Sequence, residues 1–515
     1  MPSDAALSES SLISIQQHGE VYCLKLAGKN VVVLSSARTI KELMEMNAIV
    51  TADRPSAATS SKPTEGVADI VTARNGASWR TWRMAADRLL RPTTVEEAVP
   101  LHASEAAQLA DDILYDPSNM ANHLSRFGFS IVAFPLFGNR IPSVDSPVIQ
   151  GFRELWARNG DAENLGHPSL LDQGRDIKVV PKSWLAIGRM ALMASGKQPG
   201  TTAKMRQTLF YRTLEGIDVS RGKKNDVMHV MERAGEYGVD VDEVAPFRGH
   251  LFEAGAATTG AFINNLIALL AENPRVQKKA HDEMNEAGFD QSPSPENLSS
   301  LPYLNAVVKE VMRLHPLKPF GVPHACTEDI QYDGHRIRKG TAIYVNIRGA
   351  YRDPEVFEQP EKFYPERYME SDLGIRFGLV ESQYEILRDL SFGVGLRKCP
   401  GQHLATRAII IAAAKLVWAL DFRKLRTVTS TPSTSVSSVL PLDCSVEARV
   451  IPPKQAAKRS KVAAVKVTQP ATALAVHSPP EYTEVIVPTG FKPGAAKTPV
   501  VTNMRRRNVP LAPAM

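Results

Sequence analysis

Only four cysteines occur in the 515-residue chain, Cys23, Cys326, Cys399 and Cys444, widely spaced and with no CxxC pair. That excludes a disulfide framework and a thiolate zinc site, suits a reducing compartment, and leaves a single cysteine free for other chemistry. The N-terminus has no apolar run of the about 20 residues that a bilayer-spanning helix needs, and no signal-peptide pattern. Nor is there an internal repeat. An overall cationic character is missing too, despite a formal net charge of +6. From Ile451 onward ten Lys/Arg stand against Glu481 and Glu484, which leaves +8 in that segment and −2 for residues 1–450. The basic balance therefore belongs to the tail and gives no argument for nucleic acid as a partner of the rest. Hydrophobic residues make up 43% of the chain, enough for a sizeable core.

Two short strands open the pattern: Glu20–Leu26 alternates, Gly28-Lys29-Asn30 reads as a turn, and Val31–Leu34 follows. Helical spacing then dominates, over Ala37–Asn47, Ala77–Leu90, Ala103–Tyr115, Asn119–Val132 and Val148–Ala157. A Gly/Asp/Pro-rich loop is expected at Asn159–Pro181, and helices at Trp184–Ala194, Thr202–Leu214 and Asp226–Gly238. A long helix is predicted from about Val241 to Asn273, stopping before Pro274. Strand signals return at Ile330–Tyr332, Arg336–Ile337 and Ala342–Ile347, with Asp333-Gly334 turning between the first two. Beyond Val450 the composition shifts to Pro, Ala, Lys, Val and Thr without periodicity. Two regions are thus expected: a folded body at 1–450 and a disordered basic tail at 451–515, with a short docked segment such as Glu484–Val487 left open.

The most telling stretch is Phe392-Gly393-Val394-Gly395-Leu396-Arg397-Lys398-Cys399-Pro400-Gly401, followed by an apolar helix from about Gln402 to Leu420. A cysteine there sits at a helix N-terminus, where backbone N–H groups favour a thiolate. Gly395 and Gly401 let the backbone approach a flat group closely, and Arg397 presents a fork suited to carboxylates. The pattern F-x-x-G-x-R-x-C-x-G resembles the haem-thiolate loop of the cytochrome P-450 family in every fixed position. Other elements strengthen the resemblance. Glu310-Val311-Met312-Arg313, preceded by Leu301-Pro302-Tyr303-Leu304 and standing 89 residues before Cys399, is similar to the family's E-x-x-R helix. Pro365-Glu366-Arg367-Tyr368 is similar to its P-E-R-[FW] element. Within Trp79-Arg80-Thr81-Trp82-Arg83, Trp79 and Arg83 match W-x-x-x-R, though an amphipathic helix with snorkelling arginines reads the same way. Gly321-Val322-Pro323-His324 resembles the segment that follows the E-x-x-R helix.

The resemblance covers roughly residues 15–450 and is nearest in flavour to fungal O-methylsterigmatocystin oxidoreductase-like members. It implies a mainly α fold with small β-sheets, and haem b held between the long helix and the Cys399 loop. Cys399 would be the iron ligand, with Phe392 against the proximal ring face. Arg397, Trp79, Arg83 and His324 would lie near the propionates. Glu310, Arg313 and Arg367 would form a buried ion network.

In the long helix, Leu251-Phe252-Glu253-Ala254-Gly255-Ala256-Ala257-Thr258-Thr259 is similar to the family pattern [AG]-G-x-[DE]-T-[TS]. Gly255 would open a groove for dioxygen and Thr258 would handle protons there. The chain departs from the pattern at Ala257, where an acid is expected. Three accounts stay open: relay through Glu253 or water, slow turnover with peroxide leakage, or chemistry that needs no relay.

The activity implied is monooxygenation of a hydrophobic small molecule, with electrons from NADPH through NADPH-cytochrome P-450 reductase. Arg80, Arg88, Arg91 and Lys398 are candidates to attract that acidic flavoprotein. The alternatives are a haem-thiolate isomerase, dehydratase or peroxide user, and a catalytically impaired haem-binding protein. Candidate substrate contacts are Phe247, Leu251, Leu317, Phe320, Val322, Val439 and Leu440, all of which core packing would equally explain. Membrane-bound relatives carry an anchor helix and proline-rich hinge not seen here, through truncation, an incomplete gene model or a form that docks without them. Location is thus expected at the cytosolic face of the endoplasmic reticulum by resemblance, otherwise in the cytoplasm, with Trp184–Ile187 as a candidate peripheral membrane contact.

Overall fold

The structure, a computed structural model, describes residues 19–26, 29–55, 70–152, 241–289, 292–425, 439–440, 442–449, 465–469 and 502–503. The loop and helices expected between 159 and 238, the Trp184–Ile187 segment and the Glu484–Val487 segment lie outside the described residues.

Among the described residues the fold is mostly helical, with three small sheets. Strands β1 (Val21–Leu26) and β2 (Lys29–Leu34) form the expected antiparallel hairpin, but Lys29 and Asn30, read as turn residues, pair with Leu26 and Lys25 inside it. Helix α1 spans Ala77–Leu89 and buries Trp79, Trp82, Ala85, Ala86 and Leu89, one stripe at helical spacing. Helix α2 covers Val99–Tyr115, four residues longer at its start than the spacing predicts. Pro100 looks like a breaker, but in a first turn its missing N–H has no partner to lose. Helix α3 runs from Met120 to Phe137, past the expected Val132 and through Pro135, until Gly138 ends it at φ +73° and donates its N–H to Phe134 O at 2.7 Å.

The long helix α4, Val241–Glu272, crosses α3 at very close range. A Cβ on Gly128 would stand 2.1 Å from Ala256 O, and one on Gly260 would stand 2.8 Å from Leu124 O. Bare backbone on both helices is what allows this contact. Beside it, the ring of Phe252 lies 5.2–5.5 Å from those of Phe129, Phe137 and Phe152, at the heart of the helical core. The stretch Phe247–Glu272 is long and apolar enough to cross a bilayer, but it is mostly buried inside the fold, as a core helix is.

Helix α5 (Pro274–Glu286) and helix α6 (Pro302–Leu314) follow. Strand β3 (His324–Ala325) leads to the hairpin β4 (Ile330–Tyr332) and β5 (His335–Ile337). Asp333 and Gly334 turn that hairpin with φ of +47° and +76°, the geometry of a two-residue Asp-Gly turn. Strand β6 (Ala342–Val345) returns to the first sheet, parallel to β2 and antiparallel to β3. Helix α7 (Gln402–Ala419) packs on α2, α4 and α6 and runs into strand β7 (Leu420–Lys424). Strand β8 (Leu442–Ala448) pairs with β7 and with β9 (Val465–Gln469), while β10 (Thr502–Asn503) pairs with β1.

Candidate active site

The residues of E-x-x-R meet as one buried unit. Glu310 and Arg313 lie three apart on one face of α6 and have no exposed surface. Arg313 donates from Nε to Oε2 at 2.7 Å and from Nη2 to Oε1 at 2.9 Å. Arg367, 4% exposed, donates from Nε to Oε1 at 3.2 Å, and the Tyr364 N–H reaches the same oxygen at 2.8 Å. The remaining guanidinium donors go to carbonyls: Arg313 to Tyr351, Pro360 and Lys362, and Arg367 to Glu358 and Gln359. A buried carboxylate with two cations and full hydrogen bonding avoids the penalty of an unpaired interior charge.

The cysteine loop stands directly on this unit. Ser391 Oγ donates to Met312 O of α6 at 3.0 Å, and the Ser391 N–H meets the Tyr351 hydroxyl at 3.1 Å. From there Phe392 O accepts the Cys399 N–H at 2.7 Å, closing the loop. Gly393 and Gly395 adopt φ of +83° and +59°, and a Cβ on Gly395 would lie 2.8 Å from Met44 O. Gly401 has an ordinary φ of −84°, and a Cβ there would come 3.8 Å from Cys399 Sγ. Asp389 braces the loop from behind, 3.0 Å from Lys398 Nζ and bonded to the Gln402 side chain. Burial pushes its carboxyl up, but these bonds outweigh it and hold the group below its ordinary value.

Cys399 combines depth with openness. Its side chain is exposed, yet protein surrounds it enough that burial pushes the thiol up. Both hold for an atom on the floor of a recess. A hydrogen bond from the Gly401 N–H, and then the charges of Arg83 and Lys398, pull the thiol in the opposite direction.

Around the loop the predicted partners converge. Arg397 sits over the ring of Trp79, its Cζ 3.7 Å from the ring centroid, and donates to Ala52 O (2.7 Å), Ala73 O (2.7 Å) and Ile70 O (3.3 Å). Trp79 Nε1 donates to the same Ile70 carbonyl at 3.0 Å. Arg83 bonds Lys398 O and also pairs with Asp87. His324 donates from Nδ1 to Thr51 O at 2.9 Å, and burial with the nearby charge of Arg54 holds the ring well below its usual range, hence neutral. Arg54 is a member that the sequence reading missed. Its Nη1 donates to Val322 O (2.7 Å) and Pro323 O (2.8 Å), fastening the His324 segment to the residues that hold Arg397. No spacing signals such a role for a lone arginine.

On α4, Glu253, Ala254, Gly255, Ala257 and Thr258 keep partial surface between fully buried neighbours. Thr258 Oγ1 donates to Ala254 O at 2.9 Å, and a Cβ on Gly255 would meet Val132 Cγ2 at 2.8 Å. Of the candidate substrate contacts, Leu317, Phe320, Val322 and Leu440 keep some surface. Phe247 and Val439 keep at most 1%, and Leu251 7%.

These residues suit a haem. Among the described residues no group of three or more His, Cys, Asp or Glu could hold a metal ion. A porphyrin iron, which brings its other ligands with it, suits a lone cysteine such as Cys399. The cations Arg54, Arg83 and Arg397 gathered beside the loop complement an anionic macrocycle.

Comparison with known proteins identifies the family. A model of the family described as Cytochrome P450 matches residues 11–442. The Rhodocybe pseudopiperita protein "Cytochrome P450 monooxygenase ple5B" is 30% identical over 411 residues, 79% of this chain and 76% of that protein. "Cytochrome P450 monooxygenase atE" of Aspergillus terreus is 30% identical over 425 residues, with the same shares. Among solved structures, a zebra fish cytochrome P450 in a structure with abiraterone superposes with a TM-score of 0.64 at 21% identity, covering 85% of this chain and 98% of that one, and so shares the fold. The chain belongs to the cytochrome P450 family. It is a haem-thiolate monooxygenase of that family with fungal relatives.

Proposed function

We propose that the protein inserts one atom of dioxygen into a hydrophobic small molecule, using electrons from NADPH delivered by a separate NADPH-cytochrome P450 reductase. The observation that carries this reading is Cys399, a deep but open thiol braced by Gly401, Arg83 and Lys398. When bound, haem b supplies dioxygen activation, and a thiolate ligand favours O–O cleavage. Cys399 would be that ligand, with Phe392, Gly395 and Gly401 shaping the loop around it. Arg397, Trp79, Arg83 and neutral His324 would hold the propionates. The Thr258 hydroxyl would hold and pass a proton on the distal side, where Gly255 keeps the helix thin against Val132. Ala257 offers no acid, whereas Glu253, one turn earlier on the same face and half-buried, supports a substitute relay.

Phe320, Val322, Leu317 and Leu440 are the substrate contacts this reading favours. The reductase would dock on the outer side of the cysteine loop. There an open cleft of about 490 Å³ is bordered by Lys41, Arg388 and Lys398 together with Glu45, Glu385 and Asp389, of which Glu385 pairs with Arg388 and Asp389 with Lys398. Peripheral contact with the cytosolic face of the endoplasmic reticulum fits such a partner. Ala257 favours one second reading, a peroxide user or a poorly coupled enzyme.

The test is a carbon monoxide difference spectrum of the reduced protein beside Cys399→Ser, followed by NADPH consumption with reductase. A Soret band shifted far to the red in the wild type and lost in the variant is expected. An unshifted band, or one unchanged by the substitution, sinks the reading. A normal band without reductase-dependent NADPH consumption selects the peroxide-using or impaired alternative.

A further inference from the structure

Lys318 occupies the turn that follows α6, where Gly321, at φ +61°, donates its N–H back to Lys318 O at 3.0 Å. The turn joins the two halves of the fold. Leu317 packs against the helical core, and Phe320 packs against the sheet residues Tyr22, Val31, Val33 and Tyr344. Every residue from Leu317 to Val322 keeps partial surface, although the run is flanked by buried Leu314 and buried Pro323–Cys326. Arg54 then fastens Val322 and Pro323 to the strip of backbone that also holds Arg397 of the cysteine loop. Lys318 thus lies on the wall that the sheet side contributes near the candidate haem site.

Its charge has no counterpart there. Lys318 Nζ makes no hydrogen bond or ion pair among the described residues, and protein encloses it so far that burial alone pushes the ammonium down to about 8. The contrast with neighbouring deep cations is sharp. Arg313 and Arg367 sit on Glu310, Arg352 on Glu361, and Arg54 and Arg397 on backbone carbonyls. An enclosed ammonium without an anion is costly, and a methionine of similar length would fill the space without that cost. Among the described residues nothing uses the charge, but an anion arriving from outside could.

We propose that Lys318 anchors a carboxylate on an otherwise apolar substrate, with Leu317, Phe320 and Val322 covering the hydrocarbon part. Carboxylic acids are thereby selected over their esters, because the ester gives the enclosed ammonium no anion. The assignment rests on the haem-thiolate reading above, since that reading makes this wall part of a substrate cavity.

The experiment uses the haem-loaded full chain at neutral pH. Benzoic, 2-naphthoic and dodecanoic acids are each titrated beside their methyl esters by calorimetry, against wild type, Lys318→Met and Lys318→Arg. At least one acid should bind the wild type roughly tenfold or more tightly than its ester. Lys318→Met should bring the acid to the level of the ester while leaving the ester unchanged or tighter, and Lys318→Arg should keep the preference. The proposal is overturned if no acid outbinds its ester, or if Lys318→Met keeps the preference. The carbon monoxide band of the same preparations separates the two readings. A normal band without acid preference removes the anchor alone, and an absent band removes the haem-thiolate reading and the anchor with it.

Discussion

Arg313 grips Glu310 through two parallel hydrogen bonds, Nε to Oε2 at 2.7 Å and Nη2 to Oε1 at 2.9 Å, with neither side chain exposed. Glu310→Gln would leave Arg313 and Arg367 charged and buried without an anion. We expect a loss of about 3–5 kcal/mol and failure to retain haem. Urea unfolding of the variant beside the wild type checks this, and a loss under about 1 kcal/mol would mean that the carboxylate is dispensable.

The contact between α3 and α4 leaves no room for a methyl group at Gly128, which faces Ala256 O. Gly128→Ala must push two backbones apart and should cost about 1–3 kcal/mol or more. Gly76→Ala, with nothing within 4 Å of the added carbon, serves as the control and should change stability by no more than about 1 kcal/mol. Thermal melting of the two variants decides.

Among the described residues Thr258 bonds only within its own helix, to Ala254 O and, more weakly, to Gly255 O. Thr258→Ala should therefore melt close to the wild type. Product formation should fall roughly ten- to hundredfold, with more of the NADPH electrons appearing as hydrogen peroxide. Product and peroxide yields per NADPH are the measurement, and unchanged coupling would remove Thr258 from proton handling.

Acid should destabilise the fold before most carboxylates titrate. Burial, and secondarily Arg407, pushes His102 down to about 4, while burial and the charges of Arg352, Arg348 and Arg313 push His315 down to about 3. In the unfolded chain both take up protons near the ordinary 6.5. As pH falls from there toward 4, the unfolded state binds more protons, so stability drops by up to about 1.4 kcal/mol per pH unit for each ring. His102→Leu should remove one such contribution, read as a shallower stability slope between pH of about 6.5 and about 4.5. An unchanged slope would show that the buried ring is already protonated in the folded protein.

What could be read from the sequence was contiguous or periodic. The cysteine loop is ten neighbouring residues, and Glu310 and Arg313 share a helix turn, so both groups carry their geometry in their spacing. The Asp333-Gly334 turn and the long α4 were legible for the same reason. Arg54 was not, because two of its carbonyl partners lie 268 and 269 residues away and a third lies 17 away. The buried pair of Arg126 and Glu105, which also engages Asp112 and Arg140, was equally silent, since it joins two helices whose charges look solvent-facing one at a time. Phe247 and Val439 show a further limit. An apolar residue reads the same in sequence whether it lines a cavity or, as here, keeps at most 1% of its surface.

The two bonds of Ser391, one to Met312 of α6 and one to the hydroxyl of Tyr351, bear on how the molecule fails under stress. Tyr351 also supplies one of the three carbonyls that Arg313 uses. The cysteine loop and the charged core therefore share their supports, so loosening one loosens the other. Heating should release cofactor and melt the helices in one cooperative step, with no long-lived folded form that has lost its haem and could be reloaded.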